Sequence, residues 1–295
     1  MKNGPLAVVA AAVLWGTAGT AGLLVSADSV ALAAARLVIG GMALALLAGP
    51  RLKRAVSPSL LLAAVAVAAY QLCFFAAVSR TGVAIGTVVA IGSGPVFTGL
   101  LSWLLHGQRP NARWALATTA AICGCAALLA GGDDGGAPSG APGGQAAGVA
   151  FALLGGLLYA FYAVSASRAI GRGAESDAVM GVLFGGAAVI MLPVLLLNGV
   201  SWLADPKGLL AVAYLGLGTT ALSYVLYGRG LRSTPVATAA TLALSEPAVA
   251  ALLGVVVLNE RLGLVSIAGL VALAIALVVV ALPERRRERA LESLP

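Results

Sequence analysis

The sequence predicts an all-α integral membrane protein: ten transmembrane helices, arranged as two inverted five-helix repeats. Three observations predict it. The chain is 60% hydrophobic and only 10% charged over 295 residues, with a mean hydropathy of +1.01. A soluble domain of that length carries far more surface charge. Apolar runs of about 20 residues recur along it, the length that crosses a hydrocarbon core of about 30 Å at about 1.5 Å per residue. A Gly-, Pro- and Ser-rich stretch, GGDDGGAPSGAPGGQA at 131–146, reads as a flexible linker dividing five runs from five. The short alternating segments of a β-barrel do not occur.

The predicted spans, in order, are 5–25, 28–49, 58–79, 82–105 and 112–130, then 147–170, 177–198, 208–229, 235–258 and 263–282. The first follows Lys2 and has the look of a signal peptide. It is too long for an h-region and has Trp15-Gly16-Thr17 at its centre, so it is read as a span. The second carries Arg36, the third Tyr70, Gln71, Phe74 and Phe75, and the fourth Ser93-Gly94-Pro95. The sixth carries Tyr159, Phe161 and Tyr162, the eighth Tyr224 and Tyr227, and the ninth Ser245-Glu246-Pro247. Trp103, Trp114 and Trp202, near span ends, read as interface anchors. The organisation is therefore a first repeat (1–130), an external linker (131–146), a second repeat (147–282) and a basic tail (283–295). Cys73, Cys123 and Cys125 lie in apolar runs and read as buried, inert thiols. One residue separates Cys123 from Cys125 and no histidine is near, so no metal site is expected.

Lys and Arg in the short loops set the orientation. With the N-terminus inside, the inner segments hold Lys2; Arg51, Lys53 and Arg54; Arg109 and Arg113; Arg168 and Arg172; Arg229 and Arg232; and Arg285, Arg286, Arg287 and Arg289, fourteen in all. The outer segments hold three, Arg80, Lys207 and Arg261. The bias predicts a multi-pass protein of the cell inner (cytoplasmic) membrane with N- and C-termini cytoplasmic. It also accounts for the net charge of +7, which, lacking basic clusters with interleaved aromatics, is no sign of nucleic acid.

An internal repeat appears when Pro95 is laid over Pro247. Arg80 then falls on Arg232, Ser93 on Ser245, Leu100-Leu101 on Leu252-Leu253 and Arg109 on Arg261, with Gln108 over Glu260. An odd number of spans per repeat turns the second half over in the membrane, the inverted-repeat architecture of many secondary transporters.

Five-span halves, Trp15-Gly16 in the first span, ALAAARLVIGG with Arg36 in the second and the ending SEPAVAALLGVVVLNERLG resemble the EamA-type members of the drug/metabolite transporter superfamily, over about residues 5–282. Within it the chain looks most like the YddG-type exporters of aromatic and other neutral amino acids. The resemblance implies a central cavity between inverted halves, alternating access and a small-molecule substrate, with no cofactor. The chain departs from symmetry in having Gly94 where the second half has Glu246.

Transport needs polar groups at mid-membrane, and irregular backbone can supply them only where it faces a cavity. Pro95 and Pro247 each remove an N–H and free a carbonyl one turn earlier, at Ile91 and Ala243. Either they make hinges or kinks that line a cavity, or they are static kinks. Glu246 is mid-span, where a charge costs about 3 kcal/mol on insertion scales. Either it binds a substrate ammonium or carries a coupling proton, or it caps backbone freed by Pro247 or pairs with an arginine. Arg36 either binds a substrate carboxylate or, eight residues from the outer end of its span, snorkels or is structurally paired, which is the reading favoured here. Aromatics are only 5% of the chain, so midspan Trp and Tyr, whose polar atoms need partners, are informative. The candidate substrate-binding set is Trp15, Thr17, Tyr70, Gln71, Ser93, Tyr159, Tyr162, Tyr224, Ser245 and Glu246.

An intramembrane enzyme is the rival class. His106, the sole histidine, is at a span end, and there is no metal motif, carboxylate pair or nucleophile–base set, so no catalytic residue is assigned. A structural or sensory protein would need no inverted repeat around polar groups. Anionic cargo such as sugar phosphates would want several cavity cations, and only Arg36 is available. The partners implied are the lipid bilayer and a neutral small molecule.

Overall fold

In the computed structural model, residues 3–22, 25, 28–107, 109–131, 144–259 and 261–282 are described. Lys2, Gln108, Glu260, most of the linker (132–143) and the tail 283–295 lie outside the described residues. Ten helices are long and apolar enough to cross a membrane: Gly4–Gly22, Ser29–Ala48, Pro58–Thr81, Val83–Leu105, Ala112–Ala130, Gly144–Gly171, Ser176–Leu197, Pro206–Leu231, Val236–Val257 and Leu264–Ala281. They are called the first to tenth spans below. No strand occurs among the described residues.

Local chemistry sets many of the ends. The Asp28 carboxylate accepts from the Val30 and Ala31 N–H groups, Ser57 from Leu60, and Asn111 from Trp114, filling orphan donors at the starts of the second, third and fifth spans. Pro58 and Pro206 sit in first turns, where a missing N–H costs nothing. Gly82, at φ 80°, makes the turn between the third and fourth spans.

The halves are intertwined, and their contacts come in symmetric pairs. The third span packs on the sixth as the eighth packs on the first; the fourth meets the sixth as the ninth meets the first; the third meets the seventh as the eighth meets the second. The second and seventh, fifth and tenth, and fourth and ninth pair with their own counterparts. Exchanging each span with the one five later reproduces the pattern, as a two-fold between inverted repeats requires.

Lipid supplies no hydrophobic drive between helices, so close packing carries association. Glycines provide it on the two-fold seams. A Cβ on Gly41 would run into the Phe184 carbonyl, and one on Gly269 into the Leu128 backbone nitrogen. One on Gly124 would lie 2.7 Å from the Leu273 nitrogen.

Ends that the charge count puts on one face do meet. Arg51 pairs with Glu175 at 3.0 Å and Arg229 with Asp177 at 3.7 Å, while Arg113 donates to the Val279 and Leu282 carbonyls. At the other face Arg80 lies over the Phe151 ring at 5.0 Å and Ser266 donates to the Leu128 carbonyl. One expectation is corrected: Cys73 and Cys125 are buried, but Cys123 is exposed. Residues two apart on a helix point about 200° from each other, so Cys123 and Cys125 cannot both face inward.

Candidate functional site

Two spans of the second half depart from regular α-helix, and both frame the centre of the molecule. In the eighth, Tyr214–Leu222 is π-helical. Just after it, Ser223 donates to the Thr219 and Thr220 carbonyls and accepts from the Trp15 indole N–H at 2.8 Å. Near its start, the Tyr214 hydroxyl lies 2.7 Å from the Thr17 hydroxyl, where the first span is itself interrupted. First and eighth spans are thus locked at two levels.

The ninth span breaks between Leu242 and Ser245. Pro247 has no N–H for the Ala243 carbonyl, and the Glu246 N–H donates to it instead, at 3.0 Å. That bond withdraws the donor that an unbroken helix would offer to Leu242, and the Ser245 hydroxyl replaces it at 2.8 Å. The backbone around the proline is therefore satisfied by Ser245 and by a peptide N–H, and the Glu246 carboxylate takes no part in it.

That carboxylate faces a cavity of about 70 Å³ between the two halves, shared with Trp15, Arg36, Tyr70, Ala90, Ile91, Tyr159, Tyr162, Tyr224, Ala240 and Ala243. The first and sixth spans and the third and eighth, two pairs related by the repeat, supply its aromatic wall. Trp15 is 5.1 Å from Tyr224 between ring centroids, Tyr159 5.2 Å from Tyr162, and Tyr70 6.3 Å from Tyr159. Two phenol pairs cross the wall, Tyr159 to Tyr227 at 3.3 Å and Tyr162 to Tyr224 at 3.4 Å. Both are long for O–H···O bonds and so weakly held.

Of the residues singled out in the sequence, Trp15, Tyr70, Tyr159, Tyr162, Tyr224 and Glu246 line this cavity. Ile91 and Ala243, the positions one turn before the two prolines, line it as well. Thr17, Gln71, Ser93 and Ser245 do not. Thr17 bonds Leu14 and Tyr214, Ser93 and Ser245 bond back to their own helices, and Gln71 is buried outside the wall. Pro95 and Pro247 are not among the lining residues, and Pro95 is inside a continuous helix.

For Arg36 the geometry goes against the favoured sequence reading and with the other one. It neither snorkels nor pairs: it lines the cavity, its Nε is buried without a hydrogen-bond partner, and no described carboxylate is within ion-pairing distance. Its depth, eight residues from Asp28, was legible; which way the second span turns it was not, because packing against the seventh and eighth spans sets that rotation. Among the described residues there is no His, Cys, Asp or Glu group suited to a metal ion.

Known proteins agree with this architecture. The model of the EamA-like transporter family matches residues 2–130 and again 146–282, once per half. A Bacillus subtilis (strain 168) protein, "Uncharacterized transporter YwfM", is 36% identical over 291 residues, covering 97% of this chain and 96% of that one. A solved crystal structure described only as that of a protein shares the fold, with a TM-score of 0.79 at 23% identity over 99% of both chains. The chain, a multi-pass membrane protein of ten helices, belongs to the EamA-like transporter family.

Proposed function

We propose that the chain is a secondary transporter that exports small neutral metabolites, aromatic and other neutral amino acids foremost, by alternating access through the central cavity. One observation carries the reading: both halves build a single aromatic-walled cavity at their seam, with one carboxylate and one guanidinium in it. Cargo with little net charge and an apolar side chain suits such walls. A cavity of about 70 Å³ is well below the roughly 300–1,000 Å³ of ligand sites, so cargo requires the walls to part. The glycine-lined seams and long phenol bonds are compatible with the halves rocking about the site. Substrate would bind at Trp15, Tyr70, Tyr159, Tyr162, Tyr224 and Glu246. Thr17, Ser93 and Ser245 hold the backbone around it, and Pro95 and Pro247 serve as kinks.

The test is purified protein in liposomes, screened with labelled amino acids with and without a pH gradient. Phenylalanine, methionine, leucine or threonine moves unchanged, and sugar phosphates do not. Robust sugar-phosphate exchange without amino-acid flux rejects the reading, and conversion of a solute in place of its movement would mark an enzyme. The proposed orientation, termini cytoplasmic and 131–146 outside, is tested by a cysteine at position 139 in a Cys-free background. Impermeant reagent labels it on intact cells; labelling only after membrane rupture inverts the topology.

A further inference from the structure

We propose that Arg36 anchors the substrate carboxylate while Glu246 takes the ammonium, so that the cavity selects zwitterionic α-amino acids and rejects amines and carboxylic acids with the same side chain. The inference rests on the amino-acid reading above and names the part of the molecule that is read.

The case starts from what Arg36 lacks. A structural arginine inside a membrane keeps its donors occupied, by a carboxylate or by backbone carbonyls. Arg36 leaves Nε buried and unbonded, on the wall of the polar cavity described above. The other charged wall residue is Glu246, and the two side chains do not neutralise each other by direct contact. A positive and a negative group that face one small space with no ion pair between them are complementary to a dipolar guest.

Chemistry then narrows the guest. The guanidinium fork suits a carboxylate, which it can bind through two parallel N–H···O bonds, and a carboxylate is the natural acceptor for an ammonium. A zwitterion satisfies both groups and leaves the net charge of the site unchanged. An amine leaves Arg36 uncompensated and an acid leaves Glu246 so, each in a low-dielectric place where an unpaired charge is costly. Sites built to pair a substrate's polar group discriminate strongly against analogues that lack it. The side chain would lie on the Trp15, Tyr70, Tyr159 and Tyr162 faces, which carry no charge, so selection falls on the backbone groups common to amino acids.

The experiment measures equilibrium binding of radiolabelled phenylalanine, phenethylamine and 3-phenylpropionate to purified full-length protein. The wild type binds phenylalanine at least tenfold more tightly than either relative. Arg36→Gln weakens phenylalanine and 3-phenylpropionate at least tenfold and changes phenethylamine less than threefold; Glu246→Gln shows the mirror pattern. Arg36→Lys keeps the charge but not the fork and falls between wild type and Arg36→Gln. Equal weakening of all three ligands by Arg36→Gln, or none, overturns the assignment. Should Arg36→Gln fail to run as a monodisperse species, the wild type and Arg36→Lys decide: equal affinity for phenylalanine and phenethylamine in both overturns it. A wild type that binds and moves other solutes but no amino acid defeats the reading beneath; one that moves phenylalanine without discriminating defeats only this inference.

Discussion

The two halves answer the same proline differently. In the fourth span, Ser93-Gly94-Pro95 sits in a helix continuous from Val83 to His106. In the ninth, the equivalent Ser245-Glu246-Pro247 follows a break. Both serines bond back to the carbonyl three residues before, Ser93 to Ala90 and Ser245 to Leu242, so the repeat holds to the level of single hydrogen bonds. What differs is the middle residue. Gly94 lets the Tyr159 ring lie close, with a Cβ there only 3.1 Å from Cδ1, whereas Glu246 sends a carboxylate into the cavity. At this position the first half offers a surface to an aromatic ring and the second offers a carboxylate beside irregular backbone. Two-fold architecture thus encloses a site that is not two-fold, which an asymmetric cargo requires.

The largest effect should come from removing the carboxylate that only one half carries at this position. Glu246→Gln keeps shape and hydrogen-bonding capacity, inserts and folds normally, and lowers amino-acid flux in liposomes tenfold or more. If Glu246 also carries the coupling proton, whatever flux remains no longer varies with pH. The control is Glu260→Gln, which the sequence reading puts at the end of the ninth span, with less than a twofold effect expected. Wild-type flux at every pH in Glu246→Gln would make the residue structural.

The prolines come next. Pro247→Ala restores an N–H that can reach the Ala243 carbonyl and lets the ninth span close into one helix. It should raise the detergent melting temperature and lower flux several-fold. Pro95→Ala acts on a helix that is already continuous and should change flux less than twofold. Equal effects at the two positions would mean that the break is incidental to transport.

Much of this was legible in the sequence, for identifiable reasons. Span length follows from the bilayer's thickness, so the ten helices lie within a few residues of their predicted ends. Scarce aromatics at mid-span had to find partners for their polar atoms, and so Trp15, Tyr70, Tyr159 and Tyr224 converge. Three features were not legible. Arg36 reaches the cavity through the rotation of its whole helix, which distant packing determines. The π-helical Tyr214–Leu222 has no proline or motif to announce it. The bond between Thr17 and Tyr214 depends on the register of two spans remote in sequence.

The smallest effect separates the two serines, and it tests how the break is held together. In the fourth span the helix continues through Ser93, so the Ala90 carbonyl can keep its ordinary donor, the Gly94 N–H, and the Ser93 hydroxyl is a second, longer partner at 3.3 Å. In the ninth, the Glu246 N–H is diverted to Ala243, and the Ser245 hydroxyl is the replacement at 2.8 Å. Ser93→Ala therefore removes a surplus bond and should cost no more than the roughly 0.6 kcal/mol typical of a hydrogen bond inside a membrane protein. Ser245→Ala removes the replacement donor from a carbonyl in a buried residue, and should cost about 1–2 kcal/mol. Thermal unfolding of the two variants in one detergent decides it. If Ser93→Ala is as destabilising as Ser245→Ala, the ninth span satisfies its break by some other means, and the donor exchange described for Pro247 is wrong.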